Sequence, residues 1–435
     1  MKTVGLITEY NPFHNGHAWH IREAKRLSGA DFCVVVMSGN FVQRGAPAIL
    51  DKYARTQMAL ACGADLVLEL PVAYALGSAE YFASGAVSLL DGLGVVDALC
   101  FGSECGELFP LSLAAAVLGE EPEEYVQLLR QKLKSGKSFP LARAEAFGEY
   151  VEGSDEKGLA AHRIETGEGF LSESAGLLEQ PNNILGIEYL KALNRLGSAM
   201  LPLTIPRAGA AYHSEGMEGP LCSATALRRL LCQGANGEAA LGSVKSGVPA
   251  EAWKLLEAAF GRSCPMESRD FSNLLHFRLL SVSSPEELAC FQDISGDLSD
   301  RIFGLVPEYR GIDEFVGLVK TRQFTESRIR RCLLHILLDI KKEDVAKQKA
   351  LGWNGYARVL GFRKKSSSLL HAVKEKSCLP LITKLSAAGN LLPTDQMEFL
   401  KKDIYASQVY QSAVLAKFGG EAYSEYRCSP VIFSS

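Results

Sequence analysis

Gly5-Leu6-Ile7-Thr8-Glu9-Tyr10-Asn11-Pro12-Phe13-His14-Asn15-Gly16-His17 runs from an apolar strand through an Asn-Pro turn into the first turn of a helix. In an open α/β sheet such a loop lies at the carboxyl end of the first strand, where ligands bind. Asn11 and Pro12 set the turn, and Gly16 lets the backbone come close to a bound group. His14 and His17 stand three residues apart at the helix start, so both imidazoles can face one anion, beside the free N–H groups and positive dipole end of that helix. A triphosphate fits such a place. Nucleotidyl transfer depends on positioning and on neutralising the charge that grows on departing pyrophosphate, and two imidazoles can donate hydrogen bonds there without either being a nucleophile. A metal pair is the competing reading of His-x-x-His, but a metal wants further carboxylate or Cys ligands and only Glu9 is at hand.

Around this loop the first hundred residues alternate short apolar runs with amphipathic stretches, the pattern of βα units feeding a parallel sheet. Strands are expected at Val4 to Thr8, Phe32 to Met37, Asp65 to Leu70 and Ala98 to Phe101, and helices at Gly16 to Leu27 and Asp51 to Cys62, with Gly29 and Gly63 as stops. From about 107 to 180 the composition turns to Glu, Lys, Ala and Ser, with a helix at Glu123 to Lys134 and a polar stretch from Glu152, and reads as an insertion. The α/β pattern resumes with a helix at Asn183 to Leu196, a strand at Met200 to Ile205 and a helix at Ser223 to Cys232 capped by Ser223 or Thr225. Beyond Pro249 long helical patterns take over: Ala250 to Phe260, Ser268 to Ser281, Thr325 to Lys342 and Ala406 to Phe418. The expected fold class is α/β: a Rossmann-like domain with a parallel sheet over 1–248, carrying a helical insertion at about 107–180, then a mainly α-helical domain over 249–435.

The chain has 435 residues, long enough for two domains or three, and its 47% hydrophobic and 22% charged residues are those of a globular protein. A formal net charge of −4 excludes a protein that coats nucleic acid by bulk charge and leaves room for a local basic stripe. The 11 cysteines include no CxxC pair and no zinc spacing, so no bound metal is expected, and they read as reduced thiols. There is no signal-peptide pattern, and the least charged stretch, Leu66 to Gly102, is broken by Glu69, Glu80, Asp91 and Asp97. A cytoplasmic location without membrane contact is the expectation.

A second phosphate signal is Cys222-Ser223-Ala224-Thr225-Ala226-Leu227-Arg228-Arg229, a hydroxyl-rich helix start followed by a guanidinium that can meet β- and γ-phosphates. Alone it reads more commonly as an N-capped helix with solvated arginines. Together with His14-Asn15-Gly16-His17 it resembles the HIGH-motif nucleotidylyltransferase superfamily. More closely, the segments Glu9 to His17, Met37 to Gly45, Asp65 to Pro71, Phe101 to Glu104 and Pro181 to Leu185 resemble the bacterial tRNA(Met) cytidine acetate ligase family, in order and nearly over the full length. The polar stretch between roughly 152 and 179 is longer than that family's pattern.

The resemblance implies an enzyme that makes acetyl-adenylate from acetate and ATP, with Mg2+, and then acetylates N4 of the wobble cytidine of elongator tRNA(Met). It implies catalytic roles for His14 and His17 and ATP contacts from Ile7, Thr8, Glu9, Tyr10, Asn11, Pro12, Phe13, His14, Asn15, Gly16, His17, Ala18, Trp19 and His20. Gly102, Asn182 and Arg207 add contacts at later strand ends, with the adjacent Asn183 an alternative to Asn182, and Ser223, Thr225 and Arg228 close the phosphate side. Gln43, Arg44, Lys52 and Arg55 either reach the acceptor side or, for Lys52 and Arg55, form the solvated face of their helix. For tRNA the best stretch is Lys320 to Arg331, where Arg328 and Arg331 share a helix face while Ile329 and Leu333 turn inward. A second cluster, Arg358, Arg363, Lys364 and Lys365 near Trp353 and Tyr356, interleaves cations with aromatics in a way that suits anticodon-loop bases, though without the resemblance either cluster reads first as an ordinary charged helix. The two phosphate motifs alone equally support a small-molecule adenylyltransferase, and a non-catalytic ATP- and RNA-binding protein is a third reading. The oligomeric state is open.

Overall fold

The computed structural model describes residues 1–153, 176–207, 223–233, 237–421 and 423–434, which group into two compact units: Met1–Asp97 with Glu215–Ser435, and Ala98–Ser214. In the first unit β1 (Thr3–Thr8), β2 (Phe32–Ser38) and β5 (Leu66–Leu70) are parallel neighbours, with Thr3 opposite Phe32 and Val34 opposite Leu66. A small antiparallel pair, β3 (Phe41–Val42) and β4 (Ala46–Pro47), follows β2. Every residue of β5 and all but the first of β2 are buried, the continuous apolar run of a strand covered on both faces. A Cβ on Gly5 would lie 2.8 Å from the Leu90 side chain, so the helix Ala79–Gly92 rests directly on β1.

The connecting helices have readable ends. Asn15–Ser28 stops at Gly29, whose φ of 64° is the left-handed cap position. Lys52–Ala61 starts behind Asp51, whose carboxylate accepts the N–H groups of Tyr53 at 2.7 Å and Ala54 at 3.0 Å. In the second unit β6 (Ala98–Ser103) and β7 (Leu201–Pro206) pair in parallel, Ala98 opposite Leu201, joined through the helices Leu108–Glu120, Glu123–Lys134, Phe139–Gly153 and Pro181–Leu196.

The C-terminal region is mainly helical, yet it also supplies strands that the sequence pattern did not reveal. β8 (Ala357–Arg363) pairs antiparallel with β5, and β9 (Leu381–Ile382) and β10 (Val431–Phe433) pair parallel with β8, so the first unit's sheet runs β10-β8-β5-β2-β1. β8 was hidden because Arg358 sits in it, and a charge reads as exposed unless its partners are known. The expected helix Thr325 to Lys342 is two helices, Glu326–Leu337 and Lys342–Ala350, broken where Asp339 takes a φ of 54°. Ser268 to Ser281 begins as a 3-10 turn, Ser268–Phe271, before the α-helix Ser272–Leu280. The last helix begins well before Ala406, at Thr394 behind Pro393, and runs to Phe418. The fold is α/β with a mostly parallel sheet. Among the described residues no helix is long and apolar enough to cross a membrane.

Candidate active site

The His14-Asn15-Gly16-His17 loop is built by reciprocal capping. His14 is the N-cap of Asn15–Ser28, with its backbone extended and its Nδ1 accepting the N–H of Gly16 at 3.1 Å. The His17 Nδ1 accepts the N–H of His14 at 3.3 Å. The two rings stack at 3.7 Å with 25° between their planes. A ring nitrogen that accepts carries no proton, so the N–H of each ring is on Nε2, on the edge away from the capped backbone. Both imidazoles therefore stand together at the start, the positive end, of one helix. Beneath them lie the buried rings of Tyr10 and Phe13, 4.9 Å and 5.6 Å from His17.

Ile7 and Thr8 end β1, and Ala18, Trp19 and His20 occupy the first turns of the helix, half-buried. Asn15 donates through Nδ2 to the Ser246 carbonyl at 2.8 Å. Asn11 ties the loop inward, its Oδ1 accepting the Ile49 N–H at 2.8 Å; the Asn11–Pro12 bond is cis.

The second motif meets the first. Arg228, from the helix Ala224–Gln233, donates through Nη1 to the Asn11 carbonyl at 2.5 Å and through Nη2 to Thr225 Oγ1 at 3.0 Å. Ser223 rather than Thr225 caps this helix, its Oγ accepting the Ala226 N–H at 3.1 Å. Glu9 completes the patch: one carboxylate oxygen accepts the Gln43 N–H at 2.7 Å. Burial pushes its carboxyl up, opposed by that hydrogen bond and by the charges of Arg228, Arg44 and Arg55.

Lys52 and Arg55 do not form a solvated face; both are fully buried. Arg55 gathers the carbonyls at the ends of β1 and β2, donating to Glu9 at 2.6 Å, Ser38 at 3.0 Å and also Gly39, with Nε on Leu50 at 3.0 Å. Lys52 lies 2.9 Å from Glu69 and 3.1 Å from Glu425, and donates to Ser407 Oγ at 2.8 Å. Arg358 pairs with the same two glutamates, at 2.8 Å to Glu69. This buried network is invisible in the sequence because Ser407 stands 355 residues from Lys52. What was legible was only the helix itself, expected over Asp51 to Cys62.

In the second unit Gly102, Asn182 and Arg207 come together. Arg207 donates to the Asn182 side-chain oxygen, and a Cβ on Gly102 would lie 2.8 Å from the Arg207 side chain, so only glycine lets that guanidinium stem pass. Glu104 accepts from the backbone N–H of Asn182 at 3.3 Å and of Asn183 at 2.8 Å. Asn183 is buried, and its Oδ1 accepts the N–H groups of Glu104 at 2.9 Å and Cys105 at 3.1 Å. The polar stretch 152–179 falls for its larger part, residues 154–175, outside the described residues.

The family model for HIGH Nucleotidyl Transferase matches residues 1–423. The tRNA(Met) cytidine acetate ligase of Acetivibrio thermocellus is 40% identical over 428 residues, covering 97% of this chain and 98% of that protein. The chain belongs to the tRNA(Met) cytidine acetate ligase family of HIGH nucleotidyl transferases. The ligase of that name from Halothermothrix orenii is 38% identical, covering 94% of each chain. Among solved structures, Thermotoga maritima TmcAL bound with alpha-thio ATP superposes with a TM-score of 0.85 at 32% identity, over 100% of both chains.

In the stretch expected to face RNA, Ile329 and Leu333 are buried, as their spacing predicts. Arg328 and Arg331 share a face but are half-buried and turned to Asp293: Arg328 donates to its carbonyl at 2.9 Å, and Arg331 lies 3.5 Å from its carboxylate. Phe324 lies under the Arg328 guanidinium at 5.5 Å. The second cluster is corrected more sharply. Trp353 and Tyr356 are buried and so are not open to stacking bases, and Arg358 is an internal ion-pair partner. Lys364 and Lys365 are exposed.

Proposed function

We propose that the chain activates acetate with ATP and transfers the acetyl group to N4 of the wobble cytidine of elongator tRNA(Met). An acetate oxygen attacks the α-phosphorus of ATP, the bond to pyrophosphate breaks, and acetyl-adenylate forms. The exocyclic amine of cytosine then attacks the carbonyl carbon, AMP leaves, and the amine gives up a proton as the amide forms. No acyl-enzyme is needed. The observation that carries this reading is the stacked pair of capped imidazoles at the start of one helix, which supports a role for their Nε2 edges in meeting the charge that gathers on departing pyrophosphate. Arg228, bonded to the same loop, brings a guanidinium to that charge.

ATP enters as its Mg2+ complex, the metal belonging to the substrate. The ATP contacts are assigned to the loop from Ile7 to His20 with Ser223, Thr225 and Arg228; Gly102, Asn182 and Arg207 carry theirs on the family pattern. Arg328 and Arg331 are assigned to tRNA within the mainly helical region 249–435, and the reaction is placed in the cytoplasm. The test is incubation with labelled acetate, ATP and elongator tRNA(Met), followed by digestion to nucleosides. ATP-dependent label in N4-acetylcytidine is expected; label-free tRNA under conditions of full ATP turnover would overturn the acceptor assignment.

A further inference from the structure

At the end of the first unit's sheet opposite the His14 loop lies an open cavity of about 270 Å³. Asp31 and Phe32 lead into β2, Gly63 and Asp65 lead into β5, and Arg363 ends the antiparallel β8, so these residues meet at the amino ends of the parallel strands. Four cations line it, Arg22, Lys25, Arg363 and Lys365, against two carboxylates. Both carboxylates are engaged within the fold. Asp65 takes Lys25 at 2.5 Å, the Cys33 N–H at 2.9 Å and the Ser366 hydroxyl at 2.8 Å. Asp31 accepts the Lys2 N–H at 2.9 Å and is largely exposed.

Arg363 is held by neutral acceptors, its Nε on the Leu60 carbonyl at 2.7 Å and an amino group on that of Ala61 at 3.2 Å, with its guanidinium 5.4 Å over Phe433. These contacts fix the plane of the group without cancelling its charge. Arg22 and Lys365 are exposed at the rim. With one of the two carboxylates answered by Lys25, the balance of the cavity is positive. Its size, against roughly 10–15 Å³ needed for one water, admits a phosphate with its substituents.

We propose that this cavity is a phosphate-binding site, using Arg22, Arg363 and Lys365, and separate from the ATP loop. Arg22 stands eight residues beyond His14 on one helix, which places the two sites roughly 12 Å apart along the helix axis at 1.5 Å per residue. The phosphate comes either from the backbone of the bound tRNA or from a free phosphate compound. The first source rests on the function proposed above; the binding of phosphate itself does not.

The test compares wild type with the double variant Arg22→Gln, Lys365→Gln, both at exposed positions, in three assays. Elongator tRNA(Met) affinity is measured across salt concentrations, inorganic phosphate binding by calorimetry, and acetate-dependent pyrophosphate exchange without tRNA. The ATP loop is unaltered in the variant, so any difference in phosphate binding reports the cavity. An RNA source makes the variant's tRNA affinity lower and its slope of log K on log salt shallower by about 1 to 2, with exchange unchanged. A free-phosphate source lowers inorganic phosphate affinity and leaves the tRNA slope as it was. Unchanged tRNA affinity, unchanged slope and unchanged phosphate binding would overturn the proposal. Failure of exchange in the wild type would instead strike the proposed function and leave the phosphate result to stand alone.

Discussion

The Arg228 guanidinium donates to the Asn11 carbonyl at 2.5 Å across 217 residues of sequence, and so joins the two phosphate motifs into one patch. Burial, against the opposing charge of Glu9, lowers the guanidinium's pKa from its ordinary value. Removing it takes away both a loop tether and a charge. Arg228→Ala is expected to lower acetate-dependent exchange by about 100-fold, with Arg228→Lys recovering part, because lysine restores the charge without the fork. Equal exchange rates in wild type and Arg228→Ala would remove Arg228 from the site.

His14→Ala and His17→Ala separate chemistry from capping. Each is expected to lose exchange by about 100-fold or more, while costing only about 1 kcal/mol of stability, since each deletes one partner of the capping pair. Denaturant melts alongside the exchange rates decide this. Normal exchange in both variants would contradict the role given to the imidazoles.

How much of this was legible in the sequence varies with the range of the interaction. β1, the turn, the helix behind it and the His pair rest on neighbours within a few residues, and the pattern of Gly5 to His17 predicts them. The helix behind Ser223 was equally readable, because a cap is local. Arg55 was not: it bonds carbonyls of Glu9, Ser38 and Gly39, which meet only once β1 and β2 pair. Trp353 and Tyr356 misled for the same reason, since aromatics between cations look like an RNA surface until distant elements cover them. Part of that cover comes from the long helix Thr394–Phe418, whose Asp403 accepts the Tyr356 hydroxyl at 2.8 Å, and part from Tyr74, 5.8 Å from Trp353.

Lys52 and Glu69 form the centre of the buried network that links β5, β8 and the last helix. Burial opposes ionisation of Glu425, yet Lys52 and Arg358 outweigh it and hold its carboxyl at about 2. Lys52→Met leaves buried carboxylates short of one cation and is expected to cost about 3 to 5 kcal/mol of unfolding free energy. Lys52→Met with Glu69→Gln restores the balance and should recover part of that loss. A cost below about 1 kcal/mol for the single variant, the range of a surface pair, would mean the network is not closed to solvent.

Asp403 gives a pH signature. Burial first, and then the charge of Glu69, push its carboxyl up to about 7, although it accepts the Val72 N–H at 2.7 Å and the Tyr356 hydroxyl at 2.8 Å. Between about 4 and about 7 the folded state holds a proton that the unfolded state has lost, so stability falls as pH rises through that window. Asp403→Asn keeps an acceptor for Val72 and removes the titration. Its unfolding free energy relative to wild type is therefore expected to rise from about pH 4 to about pH 7 in denaturant titrations. A constant difference would place the titration elsewhere.

ATP activation of acetate, proposed for the His14 loop, is the step on which all the later chemistry depends. The most direct measurement is exchange of labelled pyrophosphate into ATP by the purified chain, with and without acetate and in the absence of tRNA. Exchange that requires acetate and disappears in His14→Ala is the predicted result. Exchange that proceeds equally without acetate, or none under any condition in a folded protein, would contradict it.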